Sequence, residues 1–278
     1  MSRKWVIYVV MIFMIVSHSH AAERRIMAFC AAISKPAVEE AAEAFKKGTG
    51  ISVDVSFGGS GAMLSQLKLA RRGDVYIAAS PDYIVKAERD RVIDPKSVRI
   101  LAYLVPAINV QPGNPMGIRE LSDLTKPGVR VGICNPETAA IGLMGIEILA
   151  KNNYLKSVLR NVITQAPNIG VLESLLVMKK VDAIIGWGVL QNATSNKMQT
   201  VFLKPNQVPR LSYIPAAITS YAVDRESAMR FLEYLASDEG KRIFTKYGYG
   251  VTEGQIRKYA PKAQIGGEYV LPPNWSEK

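Results

Sequence analysis

The stretch "ISVDVSFGGSGAMLSQLKLARRGDVYIA", residues 51–78, decides the fold. Ile51, Val53, Val55 and Phe57 alternate as in a strand with one apolar face. Gly58-Gly59-Ser60-Gly61 then leads with no spacer into Met63, Leu67 and Ala70, which share one face of a helix. Arg71-Arg72-Gly73 ends that helix, and Val75-Tyr76-Ile77-Ala78 is strand-like again. A helix joining two strands of one sheet makes them parallel, with a right-handed crossover. Upstream the pattern repeats. Residues 26–33 read as a buried strand, and Val38, Ala41, Ala42 and Phe45 stand at helical spacing within 36–47, before the stop signals Gly48 and Gly50. Strand, helix, strand, helix, strand is a doubly wound α/β unit.

A long apolar segment, 98–110, and the turn-rich Gln111-Pro112-Gly113-Asn114-Pro115 precede a second round of the same alternation. Strands are predicted at 129–134, 161–166 and 181–187, with helices at 139–152 and 171–180 between them. The C-terminal part carries two helices, one capped by Asp224 and bearing Ala228, Phe231, Leu232 and Leu235, the next capped by Asp238 and bearing Ile243, Phe244 and Tyr247. Two helices without a sheet cannot form a layered unit alone, so they are expected to pack back on one of the α/β units. The 278 residues suffice for two lobes of roughly 100–150 residues each.

The N-terminus reads as an export signal. Ser2-Arg3-Lys4 is basic, 5–16 is an apolar core, and Ser19-His20-Ala21 offers small residues for cleavage after Ala21. The apolar run of 12 residues falls short of the ~20 that span a bilayer, although an N-terminal membrane anchor is the alternative. Residues 1–21 carry Arg3 and Lys4 and no acid, so removing them lowers the formal charge from +11 to +9. The cations lie singly or in pairs at helix ends, as in Lys46-Lys47 and Lys179-Lys180, where they complement the macrodipole. No arginine-rich run or aromatic interleaving points to nucleic acid.

Both histidines, His18 and His20, fall in the signal segment. The remaining chain therefore lacks the base of a Ser-His-Asp or Cys-His nucleophile and every histidine-based metal site. Cys30 and Cys134 are too few for a cysteine-only metal site and too far apart for a CxxC pair. They are expected to be free, buried thiols in strands, although an exported chain could pair them.

Function in two such lobes is expected at the strand-to-helix loops, because ligands of open α/β sheets bind at the carboxyl ends of strands. Four loops stand out: 31–36, 58–61, 135–142 and 167–170. Small residues there leave backbone N–H groups uncovered at a helix start, which favours a small anion, and Ser34, Ser60 and Thr138 add hydroxyls. The alternative for each hydroxyl is plain N-capping. A phosphate-binding GxxxxGK[ST] is absent, and Gly59-Ser60-Gly61-Ala62-Met63-Leu64 ends in Leu where a dinucleotide fingerprint has Gly. A nucleophile at Ser60 would have no histidine base, so no enzyme is expected.

The segments "CAAISKPAVEEAAEAFKKGTGISVDVSFGGSGAMLSQL", "GDVYIAASPDYIVKA", "VRVGICNPETAAIGLMGIEIL" and "SDEGKRIFTKYGY" together resemble the periplasmic molybdate-binding component of ABC importers, over nearly all of the chain after residue 21. The resemblance implies a type II periplasmic binding protein: two doubly wound α/β lobes joined by a hinge, 22–105 with 215–278 forming lobe I and 106–214 lobe II. It implies a monomer without cofactor that binds a tetrahedral oxyanion, molybdate or tungstate, with no direct protein ligand to the metal, and hands it to a membrane permease. The family's first hydroxyl donor corresponds to Ser34, or by a gapless alignment to Ile33, and the second to Ser60 after Gly59. Its two backbone donors fall on Ile141 and Ile169, with Thr138 near the first. The family's cleft tyrosine lands on Trp187, a departure. The carboxylates of the archaeal tungstate/molybdate branch have no counterpart near Ala139 or at Gly186. Other small anions (sulfate, phosphate, a carboxylate) or a periplasmic sensor role remain alternatives.

Overall fold

A computed structural model describes residues 24–193 and 197–276; the predicted signal segment lies outside them. In chain order the elements are β1 (Arg25–Ala31), α1 (Lys35–Thr49), β2 (Ser52–Gly58), α2 (Ser60–Ala70), β3 (Val75–Ile77), α3 (Pro81–Arg89), β4 (Arg99–Leu104) and β5 (Pro106–Val110). There follow β6 (Val131–Cys134), α4 (Ala140–Lys151), α5 (Leu155–Leu159), β7 (Val162–Ala166), α6 (Ile169–Val177), β8 (Ala183–Trp187), α7 (Leu190–Ala193) and β9 (Gln199–Phe202). The last are β10 (Arg210–Ile218), α8 (Arg225–Ala236), α9 (Asp238–Lys246), α10 (Glu253–Arg257) and β11 (Gln264–Ile265).

Two sheets result, one per lobe. The first has the order β11-β10-β3-β1-β2 with β4 paired to β10, and the second β7-β6-β8-β5-β9. The strand-helix-strand readings account for the parallel pairs β1 with β2, β1 with β3, β6 with β7 and β6 with β8. Helix α1 buries Val38, Ala41 and Phe45 as its spacing required. A fully buried side chain of the size of Val or Phe contributes about 1.5–3 kcal/mol, so this face docks the helix.

The apolar segment 98–110 is two strands, β4 in the first sheet and β5 in the second, with Val105 alone between them. That is one lobe crossing. The other lies between β9 of the second sheet and β10, which pairs Ser212 with Leu104 in the first. It therefore precedes Arg210, upstream of the boundary between 214 and 215 that the resemblance implies. A β-bulge stands between Ile214 and Pro215 instead, where proline cannot donate to the ladder. Helices α8 and α9 pack on α1 and on strands of the first sheet, as the layer argument required. Asp224 caps α8 by accepting from Ser227 N at 3.0 Å. The cap of α9 is Ser237, not Asp238, which occupies the first helical position.

Candidate functional site

The carboxyl ends of both sheets face each other across one small cavity of about 10 Å³. Its wall is Ala31, Ala32, Ile33, Gly58, Gly59, Ser60, Ala79, Ala139, Ala140, Ile141, Ile169 and Trp187. These residues come from the connections after β1, β2, β3, β6 and β7 and from the end of β8, so five strand-to-helix turns converge from two lobes. The first N–H groups of a helix have no intrahelical partner and carry a partial positive charge. No charged side chain lines the cavity, and among the described residues no group of three His, Cys, Asp or Glu could hold a metal ion. The cavity is small and lies between the two lobes, so a solute that fills it touches both.

Six of the eight residues singled out from the sequence meet here: Ile33, Gly59, Ser60, Ile141, Ile169 and Trp187. Ser60 is 1% exposed and is not a cap, since Gly59 is the N-cap of α2. Its Oγ accepts from Ala79 N at 3.0 Å, which leaves the hydroxyl proton for a ligand, and its carbonyl accepts from Tyr76 Oη at 2.8 Å. Trp187 is 1% exposed, held at the lobe crossing by β5, where it pairs with Pro106.

Ser34 and Thr138 are not brought to the cavity. Ser34 is fully buried and its Oγ donates to Ala31 O at 2.7 Å, so its proton is committed within its own turn. The cavity meets its neighbour Ile33, whose carbonyl accepts from Tyr249. The Thr138 hydroxyl donates to Pro167 O at 3.0 Å. The Thr138 carbonyl does something the sequence reading did not foresee: it accepts from Gly61 N at 2.9 Å and Ala62 N at 3.3 Å, so a loop of the second lobe caps α2 of the first. Tyr83 of α3 adds a second cross-lobe bond, donating to Pro136 O at 3.2 Å. Ala79 was also missed. Its turn after β3, Ala-Ala-Ser-Pro, has the same strand-to-helix form as the four loops read as candidates, with proline in the first helical turn as the signal.

A wider cavity of about 380 Å³ shares Ala32 and Ile33 with the first and carries Lys35 and Glu173. Burial there raises the Glu173 carboxyl to about 7. Glu137, the acid nearest the second-lobe loop, is exposed and absent from the cavity wall. Cys30 and Cys134 are free and buried, one in each sheet, and burial raises both thiols well above their ordinary range.

Residues 26–250 match a family described as bacterial extracellular solute-binding protein. The molybdate-binding protein ModA of Escherichia coli is 23% identical over 260 residues, which cover 90% of this chain and 100% of that one. Among solved structures, the periplasmic molybdate-binding protein of Azotobacter vinelandii superposes with a TM-score of 0.71 at 20% identity, covering 82% of this chain and 100% of that one. The sulfate-binding protein SubI of Mycobacterium tuberculosis superposes with a TM-score of 0.75 at 16% identity, covering 87% and 93%. Two α/β lobes, a double crossing and a cleft at the strand ends agree with these likenesses. The chain belongs to the bacterial extracellular solute-binding protein family, the binding components of ABC transporters, and has the ModA-like type II periplasmic binding protein fold.

Proposed function

We propose that this protein binds a small, fully deprotonated tetrahedral oxyanion, molybdate or tungstate first, in the interlobe cavity and delivers it from the periplasm to a membrane permease. The observation that carries the reading is the cavity's lining: it is uncharged and walled by converging helix starts of both lobes. In the proposed complex the donors are the Ser60 hydroxyl, the backbone N–H groups of Ile33, Ile141 and Ile169, and the indole N–H of Trp187. Such dipoles stabilise a dianion without a counter-charge, and all reach it at about 2.7–3.2 Å only when the lobes are closed. Differential binding to the closed form shifts the lobe equilibrium, and the closed shape is what a permease recognises. No carboxylate lines the cavity to accept from a protonated anion, so hydrogen phosphate would leave its O–H without a side-chain partner.

Molybdate is preferred because the Escherichia coli relative that covers 90% of the chain is a molybdate-binding protein. Sulfate is the second reading, favoured by the small cavity volume. Calorimetric titration of the chain from residue 22 with molybdate, tungstate, sulfate and phosphate separates them. Tight binding of molybdate or tungstate is expected. Heat from sulfate with none from molybdate would replace the first reading by the second, and silence for all four would refute both.

A further inference from the structure

Away from the cavity, a buried ion triad joins the lobes. Arg210, the first residue of β10, donates from Nη1 to Asp82 Oδ2 at 2.9 Å and from Nε to Glu147 Oε2 at 2.5 Å. The three side chains are 4%, 7% and 3% exposed. The first lobe holds two of them firmly: Arg210 Nη1 also donates to Gly267 O at 2.6 Å, and Asp82 Oδ1 accepts from Tyr269 N at 2.9 Å. Glu147 alone comes from the second lobe, from the middle of α4, whose N-terminus carries Ile141 to the cavity. Its other partner is the exposed Lys151 of the same helix, at 3.1 Å.

We infer that Glu147 and Arg210 form an interlobe clasp that sets how readily the lobes close, which makes them positioning residues for the anion site although neither lines it. The inference rests on the reading of the cavity as a site completed by closure. Parting the lobes takes Glu147 away from Arg210 while Asp82, Gly267 O and Tyr269 N keep the first-lobe half intact. In the open form Glu147 retains Lys151 and gains water. Desolvation offsets much of the attraction between buried charges, so the clasp favours the closed form by a limited amount and does not lock it, whereas removing one partner leaves buried charge under-compensated. The buried Nη2 of Arg210, which lacks a partner in the closed form, is a cost of that form and so also keeps the clasp from locking. Asp82 is next to Tyr83, so the start of α3 carries both this clasp and the cross-lobe bond to Pro136.

The test is Glu147→Gln, which keeps the shape and removes the charge, with Glu147→Ala as a second variant compatible with a helix. For each oxyanion that the wild type binds, affinity should fall by about ten- to a hundredfold, through faster dissociation, as expected for a charge-assisted bond made only in the closed form. The fold-loss should be the same for every anion, since the cavity is untouched, and the melting temperature of the ligand-free chain should hold. Small-angle scattering of ligand-free protein should show a larger radius of gyration for both variants. That measurement needs no ligand, so it decides the clasp even if the titrations defeat the oxyanion reading. An unchanged ligand-free radius, or variants that melt earlier yet bind as wild type does, would overturn the inference.

Discussion

Gly59→Ala is the sharpest perturbation the structure offers, because the new methyl group lies in one lobe and its obstacles lie in the other. Gly59 has φ −67° and ψ 146°, a conformation open to any residue, so lobe I has no backbone reason to resist alanine. Alanine is a poorer N-cap than glycine, at a cost of at most about 1 kcal/mol. A Cβ there would stand 2.2 Å from Thr138 O and 2.7 Å from Pro167 O, both main-chain atoms of the second lobe. Relief to an ordinary carbon–oxygen contact takes a retreat of that lobe by about 1 Å, which moves an N–H donor from about 2.9 Å to beyond hydrogen-bond range. Ile141 and Ile169 are the two proposed donors on the retreating side. At about 1.5–3 kcal/mol for each bond to a charged acceptor, affinity should fall by about 10²- to 10⁴-fold. Calorimetric titration reads the affinity, and the ligand-free melting temperature reads the fold. Binding within about threefold of wild type would mean that the lobes do not close on the anion as this geometry requires, and the closure argument would fail.

Other expectations follow from single contacts. Ser60→Ala should weaken anion binding by about tenfold or more by removing a hydroxyl donor, with little change in fold; unaltered affinity would count against Ser60 as a donor. Ser34→Ala should do the reverse, lowering the melting temperature through loss of a buried bond worth about 1 kcal/mol while leaving affinity alone, so a large affinity loss would restore Ser34 to the site. The Glu173 carboxyl is raised to about 7 by burial, so the folded chain holds a proton that the unfolded chain has released between the ordinary carboxylate range and pH 7. The stability this confers is present below that range and is lost as pH rises toward and through 7. Melting temperatures of wild type and Glu173→Gln should therefore diverge between pH 5 and pH 8, and parallel curves would refute the assignment. Native Cys30 and Cys134 should resist alkylation until the chain unfolds, because buried neutral thiols are not nucleophiles, and rapid labelling of the folded protein would show that the sheets open locally.

Periodicity determined what is local. Residues 51–78 alone specified a strand, a helix and a parallel strand, because the spacing of Val53, Val55 and Phe57 and then of Met63 and Leu67 leaves few other ways to bury apolar surface. The second round of the pattern specified the second lobe in the same way, and the loops between strands and helices marked where a ligand would sit. The split of 98–110 into strands of two different sheets was not legible, since a continuous apolar run looks the same whether it stays in one core or passes between two.

Nor could the sequence apportion the hydroxyls. Ser34, Ser60 and Thr138 are equivalent in type and local setting, and each was a candidate for both capping and binding. None caps its helix through its side chain. Their fates depend on what packs beside them: Ala31 O takes the proton of Ser34, Pro167 O that of Thr138, and Ala79 N approaches Ser60 as a donor and so leaves its proton free. The need for glycine at position 59 likewise comes from Thr138, 79 residues away in sequence and 2.2 Å from where a Cβ would stand. Backbone periodicity is a property of a few neighbouring residues and survives in one dimension. Which proton is spent and which stays available depends on groups brought together across two lobes, and only the tertiary structure decides that.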